Sequence, residues 1–317
     1  MVSGTIDPSL TPVLVIACRR PHTVRQVIGA IRHLSPKILF VACDGADSEA
    51  VEQVAATRQV LDQEIDWPCQ INRLYSDVHQ GCRLSVSRAI NWFFEHVEEG
   101  IILEDDCVPH PDFFPYCSTL LDRYRHDTRV WCISGNNFQN GQWFGDGSYY
   151  FSRYNHCWGW ATWRQRWQHY DADLKNWPLL RDSGLLQSIF EDPLELQYWR
   201  NIWQRLVDKG EPDSWAYRWS FTCFSNSGLT ALPNRNLVEN VGFGQGATHT
   251  ICPSLQVPAT EGLDYFHPPS FILRNLAADR FTFNHHFLPR KRSRMRSWAS
   301  RLKTSTHSAL KFIQSRH

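Results

Sequence analysis

Three acidic residues, Glu104, Asp105 and Asp106, directly follow the aliphatic run Ile101–Leu103. Adjacent carboxylates repel one another, so in a partly desolvated site they stay ionised only beside a cation or several hydrogen-bond donors. Their hard oxygen atoms suit Mg²⁺ or Mn²⁺, which proteins often hold with one or two carboxylates and the phosphates of a substrate. A solvated turn after a strand explains the triplet equally well. The surrounding elements have to decide between these two interpretations.

Apolar runs and amphipathic stretches alternate along the chain. They predict strands over residues 12–18, 37–43, 71–75 and 101–103, and helices over 23–34, 48–65 and 84–97. Later patterns predict a helix from just after residue 112 to about 125, a strand over 129–134, a loop over 136–150, and helices around 184–190 and 195–208. The sequence therefore predicts an α/β fold with a mostly parallel central sheet and helices on both faces.

Polar residues follow three of the predicted strands: Arg19, Asp44 and the acidic triplet. In open α/β sheets, ligands bind beyond the carboxyl ends of the strands. Alone, Arg19 is equally well explained as an exposed charge, and Asp44 as a turn residue before Gly45. The convergence of three polar groups at one edge favours a binding site over a chance arrangement.

Two further segments have the composition of phosphate-binding loops. His79 and Arg83 stand at the start of a predicted helix, where backbone amides and the positive helix end attract phosphate oxygens. The alternative there is a glycine turn followed by a surface arginine. The glycine-rich stretch Asn240–His249 suits a loop that closes over a diphosphate, which makes His249 a secondary candidate for contacting phosphate or metal. Arg235 is likewise a secondary candidate for such a contact.

Charge is distributed unevenly along the 317 residues. Residues 290–317 contain nine Lys and Arg and no Asp or Glu, while the rest of the chain is acidic. An acidic body argues against nucleic-acid binding, which needs a basic face. The tail places apolar residues near one helical face, so it is either a basic amphipathic helix that lies on an anionic membrane surface or a disordered basic tail.

Ten cysteines occur without a CxxC pair, and several lie inside apolar runs, as Cys18 does. This usage is typical of buried thiols in a reducing compartment. The N-terminus lacks the pattern of a secretory signal, and no run of 18 apolar residues occurs. We therefore expect a cytoplasmic protein, peripheral on the inner face of the membrane if the tail binds lipid.

Several segments resemble N-acetylglucosaminyltransferase I in order and approximate spacing: Pro12–Cys18, Glu104–Asp106, Pro111–Phe114, Trp131–Ser134 and Gly159–Trp160. The chain also resembles bacterial glycosyltransferase-like proteins that are often labelled hemolysin-related, through residues 81–83, 98–100 and 240–244. The resemblance covers about residues 12–250. It implies a GT-A-fold, metal-dependent, inverting glycosyltransferase.

The resemblance divides the chain into a nucleotide-sugar-binding half over residues 12–106 and an acceptor half over 107–250, followed by an extension over 251–289 and the tail over 290–317. It implies that Asp106 coordinates Mn²⁺ or Mg²⁺ and that Glu104 and Asp105 contact the ribose and sugar or orient metal-bound water. Arg19 and Asp44 would contact the nucleotide. The implied donor is a nucleoside diphosphate sugar, a UDP-sugar foremost, and the acceptor a surface glycan or its lipid-linked precursor.

An inverting transfer needs a base for the proton of the acceptor hydroxyl. Asp213 is the candidate, because residues 211–219 resemble the segment that carries the base in the family. Aligned on the following tryptophan, however, Ser214 stands where the family has its acid, so Glu211 is a second candidate and a helix-capping role for Asp213 is the alternative. For the acceptor side we expect a sugar-stacking contribution from Trp158 or Trp160, although core packing explains most tryptophans here.

Two other functions compete with this interpretation. A nucleotidyl- or phosphoryl-transferring enzyme would also use acids and Mg²⁺, but the chain has no GxxxxGK[ST] motif. A non-catalytic nucleotide-sugar-binding relative, or a membrane-associated protein acting through its tail, is compatible with Ser214 in place of an acid.

Overall fold

The computed structural model describes residues 6–242, 262–263 and 266–288. The strands of these residues are β1 (Val13–Ala17), β2 (Ile38–Cys43), β3 (Gln70–Tyr75), β4 (Glu99–Glu104), β5 (Cys107–Pro109), β6 (Val130–Ser134), β7 (Tyr149–Ser152), β8 (Trp160–Trp163), β9 (Leu229–Pro233) and β10 (Val238–Asn240). The helices are α1 (Pro21–Arg32), α2 (Val51–Gln63), α3 (Gly81–His96), α4 (Phe113–Tyr124), α5 (Arg164–Trp167), α6 (Trp177–Asp182), α7 (Leu186–Ile189), α8 (Pro193–Lys209), α9 (Ala216–Ser225) and α10 (Leu276–Thr282). A 3-10 turn (Pro8–Leu10) and a π-helical turn (Phe283–Phe287) complete the described elements.

The core is an eight-stranded sheet with the order β3-β2-β1-β4-β8-β6-β9-β7. Strands β1 to β4 are parallel to one another, β6 and β9 pair in parallel, and β7 and β8 pair antiparallel with their neighbours. Strands β5 and β10 form a separate antiparallel pair. The prediction of a mostly parallel α/β sheet is therefore confirmed, and the sheet continues across the predicted boundary at residue 106.

Both faces of the sheet are covered, which explains the continuous apolar runs of its central strands. Val13 and Val15 point into one core with α1, α2 and α4, whereas Leu14 and Ile16 point into a second core with α3, α8 and α9. Every strand and helix predicted up to residue 134 is present, with ends shifted by a few residues. β8 was not predicted, and β7 begins inside the region predicted as a loop.

Residues 266–288, which lie in the predicted extension, pack onto the sheet. The backbone of Arg274 forms an isolated parallel β-bridge with Phe151 in β7, and Asp279 of α10 is buried. The Asp279 carboxylate accepts a hydrogen bond from Ser152 Oγ at 2.5 Å and lies 3.5 Å from Arg153 Nε. These contacts hold the π-helical turn against the second core, in which Phe283 is buried.

Nine of the ten cysteines lie in the described residues, and all nine are free thiols. Cys18, Cys69, Cys82 and Cys157 are only partly buried, so the expectation of buried thiols is wrong for these four. Within the described ranges, no helix combines the length and the apolar character needed to cross a bilayer. The basic tail, residues 290–317, lies outside the described residues.

Candidate active site

The acidic triplet lies where β4 ends. Glu104 is the last residue of β4, Asp105 and Asp106 form a turn, and β5 starts at the next residue. Asp105 is buried and accepts a hydrogen bond from the backbone amide of Cys18 at 3.2 Å. The carboxyl ends of β1 and β4 therefore meet at the triplet, as expected for a ligand site in an open α/β sheet.

Arg20 pairs with two of the three acids. Its Nη1 lies 2.8 Å from Asp106 Oδ2, and its Nη2 donates to Asp105. The neighbouring Arg19, which was the predicted nucleotide contact, borders the same cavity as Asp44, with its side chain 45% exposed and 3.8 Å from Asp47. Of the two arginines after β1, Arg20 is the one that reaches the acidic site.

One guanidinium does not offset the charge of the triplet. Burial, followed by the negative charges of Asp106 and Asp105, raises the pKa of Glu104 to about 8. Burial raises the pKa of Asp105 to about 6, although Arg20 opposes the shift. Surplus negative charge on hard oxygen atoms is the environment that a divalent cation stabilises, so these residues fit the predicted metal.

A cavity of about 210 Å³ lies beside the triplet at the carboxyl end of β1, and Asp44 is on its wall. Asp44 is buried and accepts hydrogen bonds from the backbone amides of Gly45, Gln80 and Gly81 at 2.9–3.1 Å. His79 Nδ1 lies 3.0 Å from its Oδ2. Asp44 thus fixes the loop before α3, and the amides predicted to receive phosphate already have a carboxylate partner.

Among the described residues, Cys18, Asp44 and His79 form the one group of three or more His, Cys, Asp or Glu residues whose ligand-type atoms all lie within 4.8 Å of one another, a criterion that the acidic triplet does not meet. Asp44 is already saturated by amides, and burial raises the pKa of the Cys18 thiol to about 12. This environment does not favour the thiolate that a soft metal would require. We therefore do not assign a metal to this group, whose three residues all border the smaller cavity.

Asp213 lies against the N-terminal end of α3. It borders the smaller cavity and is 3.6 Å from Arg83 Nε, and the Arg83 amide donates to it at 3.4 Å. Its neighbours Pro212 and Ser214 border a larger cavity instead. Glu211 is exposed and borders neither of these two cavities.

The larger cavity has a volume of about 500 Å³. Arg20, Cys82 and Glu104 border both cavities, so the acidic site is their junction. Trp158 borders the larger cavity, whereas Trp160 is buried in contact with other tryptophans. Of the two predicted acceptor-side tryptophans, only Trp158 has access to this cavity.

Gly242 lies just after β10 and packs against the side chain of Asp106. Strand β10 pairs with β5, and the Val241 amide donates to the Asp106 carbonyl at 2.8 Å. A Cβ atom at Gly242 would lie 2.1 Å from Asp106 Oδ2, so only glycine fits there without movement. The glycine-rich stretch thus starts beside Asp106. His249 lies outside the described residues, and Arg235 borders neither cavity.

The sequence profile described as the GNT-I family matches residues 2–179, more than half of the chain. The chain belongs to the GNT-I family. This places it among GT-A glycosyltransferases that transfer a sugar from a nucleotide sugar, as the sequence resemblance implied. The matched range contains the triplet, Asp44 and Trp158, whereas Asp213 follows it.

Some solved structures share weak similarity with this GNT-I family chain. HddC from Yersinia pseudotuberculosis is 6% identical, with a TM-score of 0.31 over 49% of this chain and 78% of HddC. The galactosyltransferase LgtC, solved with donor and acceptor sugar analogs, is 12% identical, with a TM-score of 0.31 over 54% of this chain and 64% of LgtC. The glycosyltransferase GlyE of Streptococcus pneumoniae TIGR4 is 14% identical, with a TM-score of 0.30 over 64% of this chain and 50% of GlyE. Because these scores are low, none of these structures informs the site of the GNT-I family chain.

Sequence reasoning missed Arg20 and Trp215 in this GNT-I family site. Trp215 borders the larger cavity together with Glu104 and stacks on Trp160 at a centroid distance of 5.4 Å. In the sequence, its position two residues after Asp213 serves only to align the segment with the family. An apolar ring with one polar N–H next to a candidate base was the available signal, since a buried indole N–H usually has a partner.

Proposed function

We propose that this chain is a metal-dependent, inverting glycosyltransferase that moves a sugar from a nucleoside diphosphate sugar, a UDP-sugar foremost, to a hydroxyl of a glycan or lipid-linked acceptor. The observation that carries the proposal is the position of Glu104 at the junction of two cavities, beside Asp106 and Arg20. A two-substrate transfer needs the donor and acceptor sites to meet at the reacting bond. Family membership supports sugar transfer, and the junction supports the position of the reacting centre.

The smaller cavity is the proposed donor site. Its wall combines Asp44, His79 and Arg20 with the ends of β1 and α3. In this proposal the Asp44 carboxylate orders the loop at residues 79–81, so that His79 and the nearby backbone form a preorganised surface for the nucleotide. Preorganised polar groups bind a developing charge without reorganising at the moment of reaction.

Asp106 and Glu104 are the proposed holders of the divalent cation. When bound, such a cation supplies positive charge that stabilises the diphosphate as it leaves. Arg20 contributes a second positive charge beside the same oxygen atoms, at 2.8 Å from Asp106. The leaving diphosphate would thus be stabilised without a proton donor.

Asp213 is the proposed general base. Its carboxylate would accept the proton of the attacking hydroxyl while Arg83, at 3.6 Å, orients it. Both acids are exposed, but Asp213 borders the smaller cavity and lies between two residues that border the larger one, whereas Glu211 borders neither; this supports Asp213 over Glu211. Trp215, which is buried against Trp160 and Trp167, anchors this segment to the tryptophan core.

The first test is thermal stabilisation of the protein by a panel of nucleoside diphosphate sugars, with and without Mn²⁺. We expect a shift in melting temperature for one donor that depends on the metal. An Asp106→Asn protein should lose the metal-dependent part of the shift. Absence of a shift with every donor would contradict the proposed donor site.

The second test separates the two candidate bases. Asp213→Asn should keep the donor-induced shift and lose transfer by about 10²–10⁴-fold, the usual contribution of a positioned general base. Glu211→Gln is the matched control, because the residue is two positions away, acidic and exposed. The opposite pattern would identify Glu211 as the base. Donor binding without transfer or donor hydrolysis by the unaltered protein would favour the non-catalytic alternative.

A further inference from the structure

Arg58 of α2 joins two loops beside the smaller cavity. The first loop begins at Asp44, directly after β2, and the second begins at Ser76, directly after β3, and contains His79. Arg58 Nη2 donates to the Asp44 carbonyl at 3.2 Å and also to the Ser76 carbonyl. Arg58 itself borders neither the smaller nor the larger cavity. It therefore holds the first residue of each loop from outside both cavities.

The guanidinium of Arg58 is also held by an aromatic ring. Its Cζ lies over the ring of Tyr75, the last residue of β3, at 5.1 Å from the centroid. A cation in this position is attracted by the face of the ring. Arg58 Nε, by contrast, is buried and has no hydrogen-bond partner among the described residues. The orientation of the guanidinium thus satisfies the two loop carbonyls and the ring, but not all of the donors of Arg58.

The same two loops contact each other directly. The Asp44 carboxylate accepts hydrogen bonds from the amides of residues 80 and 81, and His79 Nδ1 lies 3.3 Å from the Gly45 carbonyl oxygen. A Cβ atom at Gly45 would lie 2.2 Å from the carbonyl carbon of Val78, so the two backbones are in close contact. A displacement of one loop therefore moves the other, and Asp44 and His79 change position together.

We propose that Arg58 is a positioning residue for the nucleoside part of the donor. Its hydrogen bonds to the two loops keep Asp44 and His79 in the arrangement that forms one wall of the smaller cavity. The inference rests on the proposed function, which places the nucleotide in that cavity. The acidic triplet follows β4, which β1 separates from β2 in the sheet. Loss of Arg58 should therefore weaken binding of the nucleoside and leave binding of the diphosphate at the triplet unchanged.

The experiment measures binding to the full chain by isothermal titration calorimetry in the presence of Mn²⁺. The probes are UDP, CDP, GDP and ADP, which contain a nucleoside, and inorganic pyrophosphate, which does not. Arg58→Met removes the donor nitrogen and keeps an unbranched side chain beside Tyr75. We expect the dissociation constant of the best-bound nucleoside diphosphate to rise about tenfold, because loss of a charge-assisted hydrogen bond lowers the fraction of molecules with ordered loops. The dissociation constant of pyrophosphate should not change.

Arg73→Met is the matched control. Arg73 also joins β3 to α2, because its Nε donates to Asp62 Oδ1 at 2.8 Å, but its partner is a side chain of α2 and not a loop carbonyl. This change should leave the affinities for both kinds of probe unchanged. Arg58→Lys keeps a charged donor for the carbonyls, so it should recover most of the affinity for the nucleoside diphosphate. If Arg58→Met fails to fold, Arg58→Gln takes its place, since the shorter neutral side chain cannot bridge the two carbonyls.

Three results would overturn the inference. These are an unchanged affinity of Arg58→Met for the nucleoside diphosphate, an equal loss of affinity for pyrophosphate, and an equal loss of nucleoside diphosphate affinity in Arg73→Met. The second and third would indicate a general structural effect. All three leave the proposed function intact, because the unaltered protein still binds a nucleoside diphosphate. If the unaltered protein binds none of the four nucleoside diphosphates, the proposed donor site is itself refuted, and the role of Arg58 with it.

Discussion

Replacement of Arg20 by leucine should destabilise the protein far more than the same change at Arg19. The Arg20 side chain is 27% exposed and pairs with Asp105 and Asp106, whose side chains are 4% and 15% exposed. Leucine would leave two acids and the adjacent Glu104 without a nearby cation. Arg19 has its side chain 45% exposed and lies 3.8 Å from Asp47, so its loss leaves no buried charge.

The expected magnitude follows from the burial of the pairs. Removing one partner of a buried ion pair costs about 3–5 kcal/mol of unfolding free energy, and partial exposure of Arg20 favours the lower end, about 3 kcal/mol. With an unfolding entropy of about 2.1 cal/mol/K per residue, that loss lowers the melting temperature of a chain of this size by about 4–5 °C. The Arg19→Leu change should stay within about 0.5 kcal/mol, as exposed pairs do.

Denaturant unfolding and thermal melting at pH 7 would measure both variants beside the unaltered protein. Mg²⁺ or Mn²⁺ should restore part of the stability of Arg20→Leu, because a cation bound at Asp106 replaces the lost guanidinium charge. Equal stability of Arg20→Leu and Arg19→Leu would refute the assignment of Arg20 to the acidic site. A destabilised Arg20→Leu protein that no divalent cation stabilises would contradict the metal assignment at Asp106.

Two further predictions concern other parts of the site. Gly242→Ala should reduce metal-dependent donor stabilisation, because its Cβ would lie 2.1 Å from Asp106 Oδ2. Gly29→Ala is the control: its Cβ would meet no atom within 4 Å, so donor binding should be unchanged in the same melting assay. His286 is protonated more readily in the unfolded chain than in the fold, where its pKa is about 4, so stability is lost as the pH falls below 6.5. Between pH 7 and 5, the free energy of unfolding of the unaltered protein should therefore fall by about 2 kcal/mol more than that of His286→Phe, as measured by denaturant unfolding at both pH values. His285→Phe, which changes the exposed neighbouring histidine, is the control. An equal loss in His286→Phe and His285→Phe would contradict this prediction.

The part of the site that could be predicted from the sequence is the part that lies in and directly after the central strands. β1, β2 and β4 are buried on both faces, so each is a continuous apolar run that ends at a polar residue. Parallel strands bring these ends to one edge, and Asp44 and the triplet could therefore be assigned to one site from their positions after the strands. Local sequence was sufficient because the strand direction alone fixes the edge.

The contact of Arg20 with the acidic triplet could not be predicted in this way. Beyond the last residue of β1, side chains no longer alternate between the two faces of the sheet, and the turn before Pro21 sets the direction of each side chain. Trp158 and Trp160 could not be distinguished from the sequence for a similar reason, because β8 was not predicted and its first residue, Trp160, points into the core.

The lining of the larger cavity could not be predicted for a different physical reason. Its residues include Phe138, His156, Trp199 and His286, which are far apart in the sequence, and no local pattern connects them. His286 reaches the cavity because Asp279, buried against Ser152 and Arg153, fixes α10 on the sheet. Contacts between segments so distant in sequence depend on the packing of the complete fold.

The family match covers only part of the two cavities. The triplet, Asp44 and Trp158 lie inside the matched range 2–179, whereas Trp199, Asp213 and His286 follow it. Family membership therefore supports both cavities in part, and the proposed base lies outside the range that it covers. Residues of α8 and the π-helical turn border the larger cavity but not the smaller one, so substitutions there would change the larger cavity without touching the acidic triplet. Under the proposed function, acceptor choice can thus vary while the donor chemistry at the end of β4 stays the same.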